Sequence, residues 1–154
     1  MCTPGAAGAD MNAKGGASMS ATGQFLEWYG RLQSAVTEAL NGPLKDGLKQ
    51  AIREKAQTNV YNAYSGGGYR RGQIGAPQNL SASVNGYALE IRNVTPPQGS
   101  GASMTETGFV EEGAANYRQP FPRPFMDEAL EAYSSGQAQD DLAAALGSRG
   151  FEVV

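Results

Sequence analysis

Leu80-Ser-Ala-Ser-Val-Asn-Gly-Tyr-Ala-Leu-Glu-Ile-Arg92 is the stretch on which the fold turns. Leu80, Ala82 and Val84 alternate with Ser81 and Ser83; Tyr87, Leu89 and Ile91 alternate with Ala88, Glu90 and Arg92. A period of two marks a strand with one face in a core. Between the runs, Asn85-Gly86 is the favoured pair for a two-residue hairpin turn, whose central backbone is left-handed. Closing the turn there sets Val84 opposite Tyr87, Ala82 opposite Leu89 and Leu80 opposite Ile91. Every apolar residue then meets another on the same face. A slip of one residue would turn the whole set to solvent, so Asn85 and Gly86 are assigned as structural residues.

Upstream the pattern becomes helical. Phe25, Tyr29, Leu32, Val36 and Leu40 recur at three- and four-residue spacing, with Thr22 placed to cap the helix. Trp28 and Tyr29 are read as core. Gly42-Pro43 stops this helix. A second follows at once, with Leu44, Leu48, Ala51, Ile52, Val60 and Tyr64 near one face and Lys45, Lys49, Arg53 and Lys55 in solvent. Ser65-Gly66-Gly67-Gly68 ends it.

Downstream, a long polar loop follows Val94, and residues 104–110 are expected to return as a third strand. Pro124 suits the first turn of a helix carrying Phe125, Ala129, Leu130 and Tyr133, with Asp127 and Glu128 near its positive end. Pro124 and Phe125 are assigned as structural, Phe125 buried against the hairpin face of Leu89 and Ile91. Gly136 breaks this helix, and a last one over residues 140–146 stops at Gly147. The order predicts an α+β fold: a small antiparallel sheet, hairpin plus return strand, packed against N-terminal and C-terminal helices.

Composition bounds the function. The chain has 154 residues, one domain by length, with 40% hydrophobic and 18% charged residues, 21 Gly and 8 Pro. Residues 1–21 are mostly Gly, Ala, Ser and Thr with few bulky residues, and are expected to form a flexible arm before a single domain at 22–154. A net charge of −3 disfavours a general nucleic-acid binder. One Cys, at position 2, allows no internal disulfide and lacks the apolar leader of a lipid anchor. No run approaches the roughly 18 apolar residues that cross a bilayer, and no secretory signal is expected. A soluble protein with no membrane partner follows.

Catalytic chemistry finds little to work with, and no enzyme is expected. The chain has no His. Glu111 and Glu112 are adjacent, so on a strand they would point to opposite faces, and Asp127 and Glu128 suit the helix dipole better than acid–base work. Asp140-Asp141 lacks the alternating ligand spacing of a calcium loop. Gly66-Gly67-Gly68-Tyr69-Arg70-Arg71-Gly72 resembles segments that contact nucleic acid but lacks the Gly-Lys-Ser/Thr ending of a phosphate loop. No catalytic, cofactor or metal residue is assigned.

Several pieces in order carry a resemblance. They are Val60-Tyr-Asn-Ala-Tyr64, Tyr69-Arg70-Arg71-Gly72, Asn79-Leu80, Asn93-Val94-Thr95, and Val110-Glu111 with Gly113 and Tyr117. Pro122-Arg123-Pro124-Phe125, Leu142 with Ala145-Leu146, and Arg149-Gly150-Phe151 complete the set. Over residues 44–151 the chain resembles the small head–tail joining and tail-completion proteins of long-tailed double-stranded-DNA phages. It departs from them in its N-terminal arm and at Glu112, where a small residue such as Thr is common.

The resemblance implies an α+β virion subunit, assembled in the host cytoplasm into a six-fold or twelve-fold ring between portal and tail tube. Its partners would be further copies of itself, neighbouring neck and tail-tube proteins and, passively, the DNA in the channel. The alternatives are a DNA-contacting or regulatory module, or a minor capsid or decoration protein. Interface residues are expected on the Gly-rich loops and beside them: Tyr69, Arg70, Arg71, Pro96, Pro97, Gly99, Ser100, Glu111, Glu112 and Arg123. Arg70 and Arg71 would pair with Glu111 or Glu112 of an adjacent chain, or face the DNA path.

Overall fold

The computed structural model describes residues 19–62, 74–95 and 124–153. Helix α1 spans Ala21–Asn41. Its N-cap is Ser20 rather than Thr22: the Ser20 hydroxyl accepts a 3.1 Å hydrogen bond from the Gly23 amide. Gly42 ends α1, and Pro43 opens α2, Pro43–Lys55, where its missing N–H is no loss. A π-helical turn, Ala56–Tyr61, continues α2 directly. A short 3-10 turn, Pro77–Asn79, leads into β1, Leu80–Asn85, and β2, Ala88–Asn93. Helices α3, Met126–Ser134, and α4, Gln137–Gly147, complete the described elements.

Helix α2 is the centre of the domain and packs against α1, α3 and α4. Leu44, Leu48, Ile52, Ala56 and Val60 are all buried, at a strict spacing of four. Such a row drifts about 40° per step around an α-helix of 3.6 residues per turn. The wider turn at Ala56–Tyr61 winds the drift back and leaves Val60 fully buried. The main core joins Leu48, Ile52, Ala56 and Val60 of this row to Ile74, Leu80, Phe125, Ala129 and Tyr133, and a smaller cluster gathers Ala39, Leu40 and Leu44. Leu89 packs against both clusters, so the sheet rests on the N-terminal and the C-terminal helices together. The fold is α+β, as expected.

The hairpin forms, but not in the expected register. Asn85 pairs with Ala88, Val84 with Leu89, Ala82 with Ile91 and Leu80 with Asn93. The turn is therefore Gly86-Tyr87, with Gly86 at φ 59° in the left-handed position, and Asn85 is the last strand residue. Relative to the expected register the strands have moved by two, which keeps every side chain on its face. Apolar pairing alone favours the expected register, since the observed one sets Leu80 opposite Asn93 and leaves Tyr87 in the turn; contacts from outside the hairpin accompany the observed one. Tyr87 swings out of the sheet, and its hydroxyl accepts a 2.6 Å hydrogen bond from the Gln33 side-chain amide on α1. Asn93 donates to the Ile74 carbonyl and accepts from both the backbone and the hydroxyl of buried Thr95.

Phe125 is fully buried in the main core, against which Leu89 and Ile91 also pack, as assigned. Pro124 lies just outside α3 rather than in its first turn, because Phe125 is the cap residue. Leu130, placed on the apolar side by spacing, is exposed. The last helix begins at Gln137, earlier than expected. The expected return strand at 104–110, the end of the second helix near Ser65 and the arm before Met19 lie outside the described residues.

Candidate interaction surface

Tyr69, Arg70, Arg71, Pro96, Pro97, Gly99, Ser100, Glu111, Glu112 and Arg123 also lie outside the described residues. What the structure does place is the frame beside them. Asn59, on the π-turn, donates 2.9 Å hydrogen bonds to the Pro124 carbonyl and to the Glu128 carboxylate, fastening the start of α3. The Asn59 bond, followed by the Lys55 ammonium at 3.4 Å, holds the Glu128 carboxyl below the ordinary carboxylate range. At the other end of α3, Tyr133 donates a 2.6 Å hydrogen bond to Asp141 of α4. Burial first, and that hydrogen bond second, push the Tyr133 phenol upward. A Cβ on Gly47 would sit 2.5 Å from the Tyr133 hydroxyl, so only glycine lets α2 approach this pair.

The surface that stands out was not recognised in the sequence. Phe25 is 58% exposed, Leu26 61%, Trp28 47% and Tyr29 43%, with Met19 beside them also exposed. Trp28 and Tyr29 are therefore not core. Spacing revealed the stripe along α1, but the domain covers only its second half, where Ala35, Ala39 and Leu40 are buried. The first half leaves its large side chains exposed. Its rings contact one another instead: Phe25 lies 6.2 Å from Tyr29, stacked, and 6.1 Å from Trp28.

One feature buttresses this exposed half, and it comes from Arg149-Gly150-Phe151. After α4, the Gly150 amide bonds to the Gly147 carbonyl and the Phe151 amide to the Leu146 carbonyl. That paired pattern, with Gly150 at φ 79°, is the left-handed helix ending in which glycine costs least. It turns the chain so that Phe151 meets Trp28 edge-on at 6.3 Å, while the Arg31 guanidinium lies 5.9 Å from the Phe151 ring. Arg149 pairs with Glu38, further along α1. A groove of about 530 Å³ separates α1 from this turn, lined by Glu27, Gly30, Arg31, Ser34, Ala35, Arg149 and Phe151.

Among the described residues, no group of three His, Cys, Asp or Glu side chains gathers as a metal ion would require, and no helix is long and apolar enough to cross a membrane.

Comparison with protein families matches residues 26–148 to the family described as YomN, most of the chain and nearly all of the described domain. The chain belongs to the YomN family. That family is phage-associated, in keeping with the phage origin implied by the sequence motifs, but membership does not specify a neck or tail-completion role. Comparison with curated proteins gives no match, and neither does comparison with solved structures.

Proposed function

We propose that this YomN-family chain is a structural subunit of the phage particle, without enzymatic activity or cofactor, that assembles into a ring at the head–tail neck or the tail end. Its partners are copies of itself and the adjoining neck and tail-tube proteins, with the DNA passing through the ring. The observation that carries this reading is the apolar half of α1, whose large side chains no described residue buries. Contiguous exposed apolar patches on small soluble domains mark contact sites. The ordered motifs that resemble the joining proteins support it, and the family match covers most of the same segment.

Sizing and negative-stain images of the purified chain test the reading: rings of defined symmetry are expected, and a stable monomer at high concentration would count against it. Removing residues 99–103 should leave the subunit folded, because surface loops tolerate length changes cheaply, yet stop heads from joining tails. Infectious particles built from that deletion would show that the loop is not the joint.

A further inference from the structure

We propose that the exposed half of α1 is covered by the same half-helix of a second copy of this chain, through a two-fold contact centred on the ring stack of Phe25 and Tyr29. This takes the contact surface of the proposed function and names its occupant, and it does not itself require a ring.

Three observations on the surface lead there. The first is continuity. Phe25, Tyr29, Leu32, Val36 and Leu40 form one stripe at three- and four-residue spacing, the seam by which two helices pack. Inside the domain this seam meets other helices; beyond it, the same geometry continues without a cover among the described residues. The second is charge. On helical spacing, Thr22, Gln24, Leu26 and Gln33 beside the exposed stripe are uncharged; Arg31 borders it on the Trp28 side, where its guanidinium lies 5.9 Å from the Phe151 ring, and Glu27 falls on the far side. A patch whose centre at Phe25 and Tyr29 is uncharged needs no charge match there, so it can meet an identical copy of itself, as a two-fold contact demands, with Arg31 left at the rim.

The third is area. Five side chains about half exposed, at the size of large apolar residues, offer roughly 500 Å² per copy, or about 1,000 Å² for the pair. That lies at the lower limit of specific contacts. The pair is therefore weak and concentration-dependent in solution, and becomes firm where other contacts already bring copies together.

Trp28 is the chain's only tryptophan and lies on the edge of the patch, so its emission reports the contact directly. Sedimentation equilibrium and Trp28 emission would be followed over a hundredfold range of concentration, in the full chain and in Phe25→Asp. The expected result is a monomer–dimer equilibrium in the parent, with a blue shift of Trp28 that tracks the dimer. Phe25→Asp should weaken the dimer at least tenfold with the melting temperature unchanged, and Phe25→Leu should retain it.

A parent that stays monomeric with constant emission would overturn the inference, as would a dimer indifferent to Phe25→Asp. So would a Trp28 shift seen only on adding phosphatidylcholine vesicles, which would make a lipid surface the occupant. Rings that persist in Phe25→Asp would overturn this inference and leave the proposed function standing. Dimers lost in that variant, with no ring in the parent, would support the inference and count against the ring.

Discussion

The two halves of α1 carry one apolar stripe and meet different fates. From Leu32 onward the helix lies on the domain: Ala35, Ala39 and Leu40 are buried, Val36 packs on the smaller cluster, Gln33 holds the hairpin turn through Tyr87, and Glu38 pairs with Arg149. Before Leu32 the same spacing carries Phe25, Leu26, Trp28 and Tyr29 into solvent. Spacing along a helix says which side chains share a face; it does not say how far a neighbour extends to cover them. The buried half serves the fold, whereas the exposed half, with larger and more aromatic side chains, carries the proposed contact surface.

The largest effect expected lies on the anchored side. Phe125→Ala should cost about 3–5 kcal/mol, since a fully buried ring at the centre of the main core leaves a cavity. Urea unfolding measures it, and a melting temperature within a degree or two of the parent would remove Phe125 from the core.

Leu40→Ala tests the buried half of the stripe itself. A cost of about 2–5 kcal/mol is expected where Leu40 joins Ala39 and Leu44. A neutral result would mean that the second half of α1 is no more anchored than the first.

Asn59→Ala should cost less, about 1–2 kcal/mol, because it leaves the Pro124 carbonyl and the Glu128 carboxylate without their shared donor. It should also change the response to acid. Glu128 has a lowered pKa in the folded state, so its contribution is present above the ordinary carboxylate value and is lost as pH falls through the folded value. Glu128 is substantially exposed, so the effect is small and screened. Urea midpoints at neutral and acidic pH should fall less steeply toward acid in the variant than in the parent. Parallel curves would show that the Asn59 bond does not set the Glu128 titration.

Phe25→Ala should be the smallest, within about 0.5 kcal/mol for the dilute subunit, because the ring has little of the domain to leave. A cost comparable to that of Leu40→Ala would erase the distinction between the halves.

Much of the fold was legible in the sequence. Hairpin alternation, the Gly42-Pro43 break, the buried row of α2 and the burial of Phe125 all follow from local pattern. The candidate site was much less legible. The residues expected at the interface lie outside the described residues, and the surface the structure does show sits partly on residues read as core. A large aromatic at helical spacing signals an apolar face equally well whether that face is inward or outward.

What the sequence determined by itself are the periodic features, because hydrogen-bond geometry and side-chain direction repeat locally in helix and strand: which segments are helical, which pair, and which side chains share a face. Tertiary structure alone decided the rest. It chose between two hairpin registers that keep the same side chains on the same face, and the chosen one carries the Tyr87–Gln33 and Asn93–Ile74 bonds. It placed the Arg149-Gly150-Phe151 turn against α1. And it set where the cover over α1 stops, because the extent of a neighbouring element is a property of the packed whole that no local period encodes.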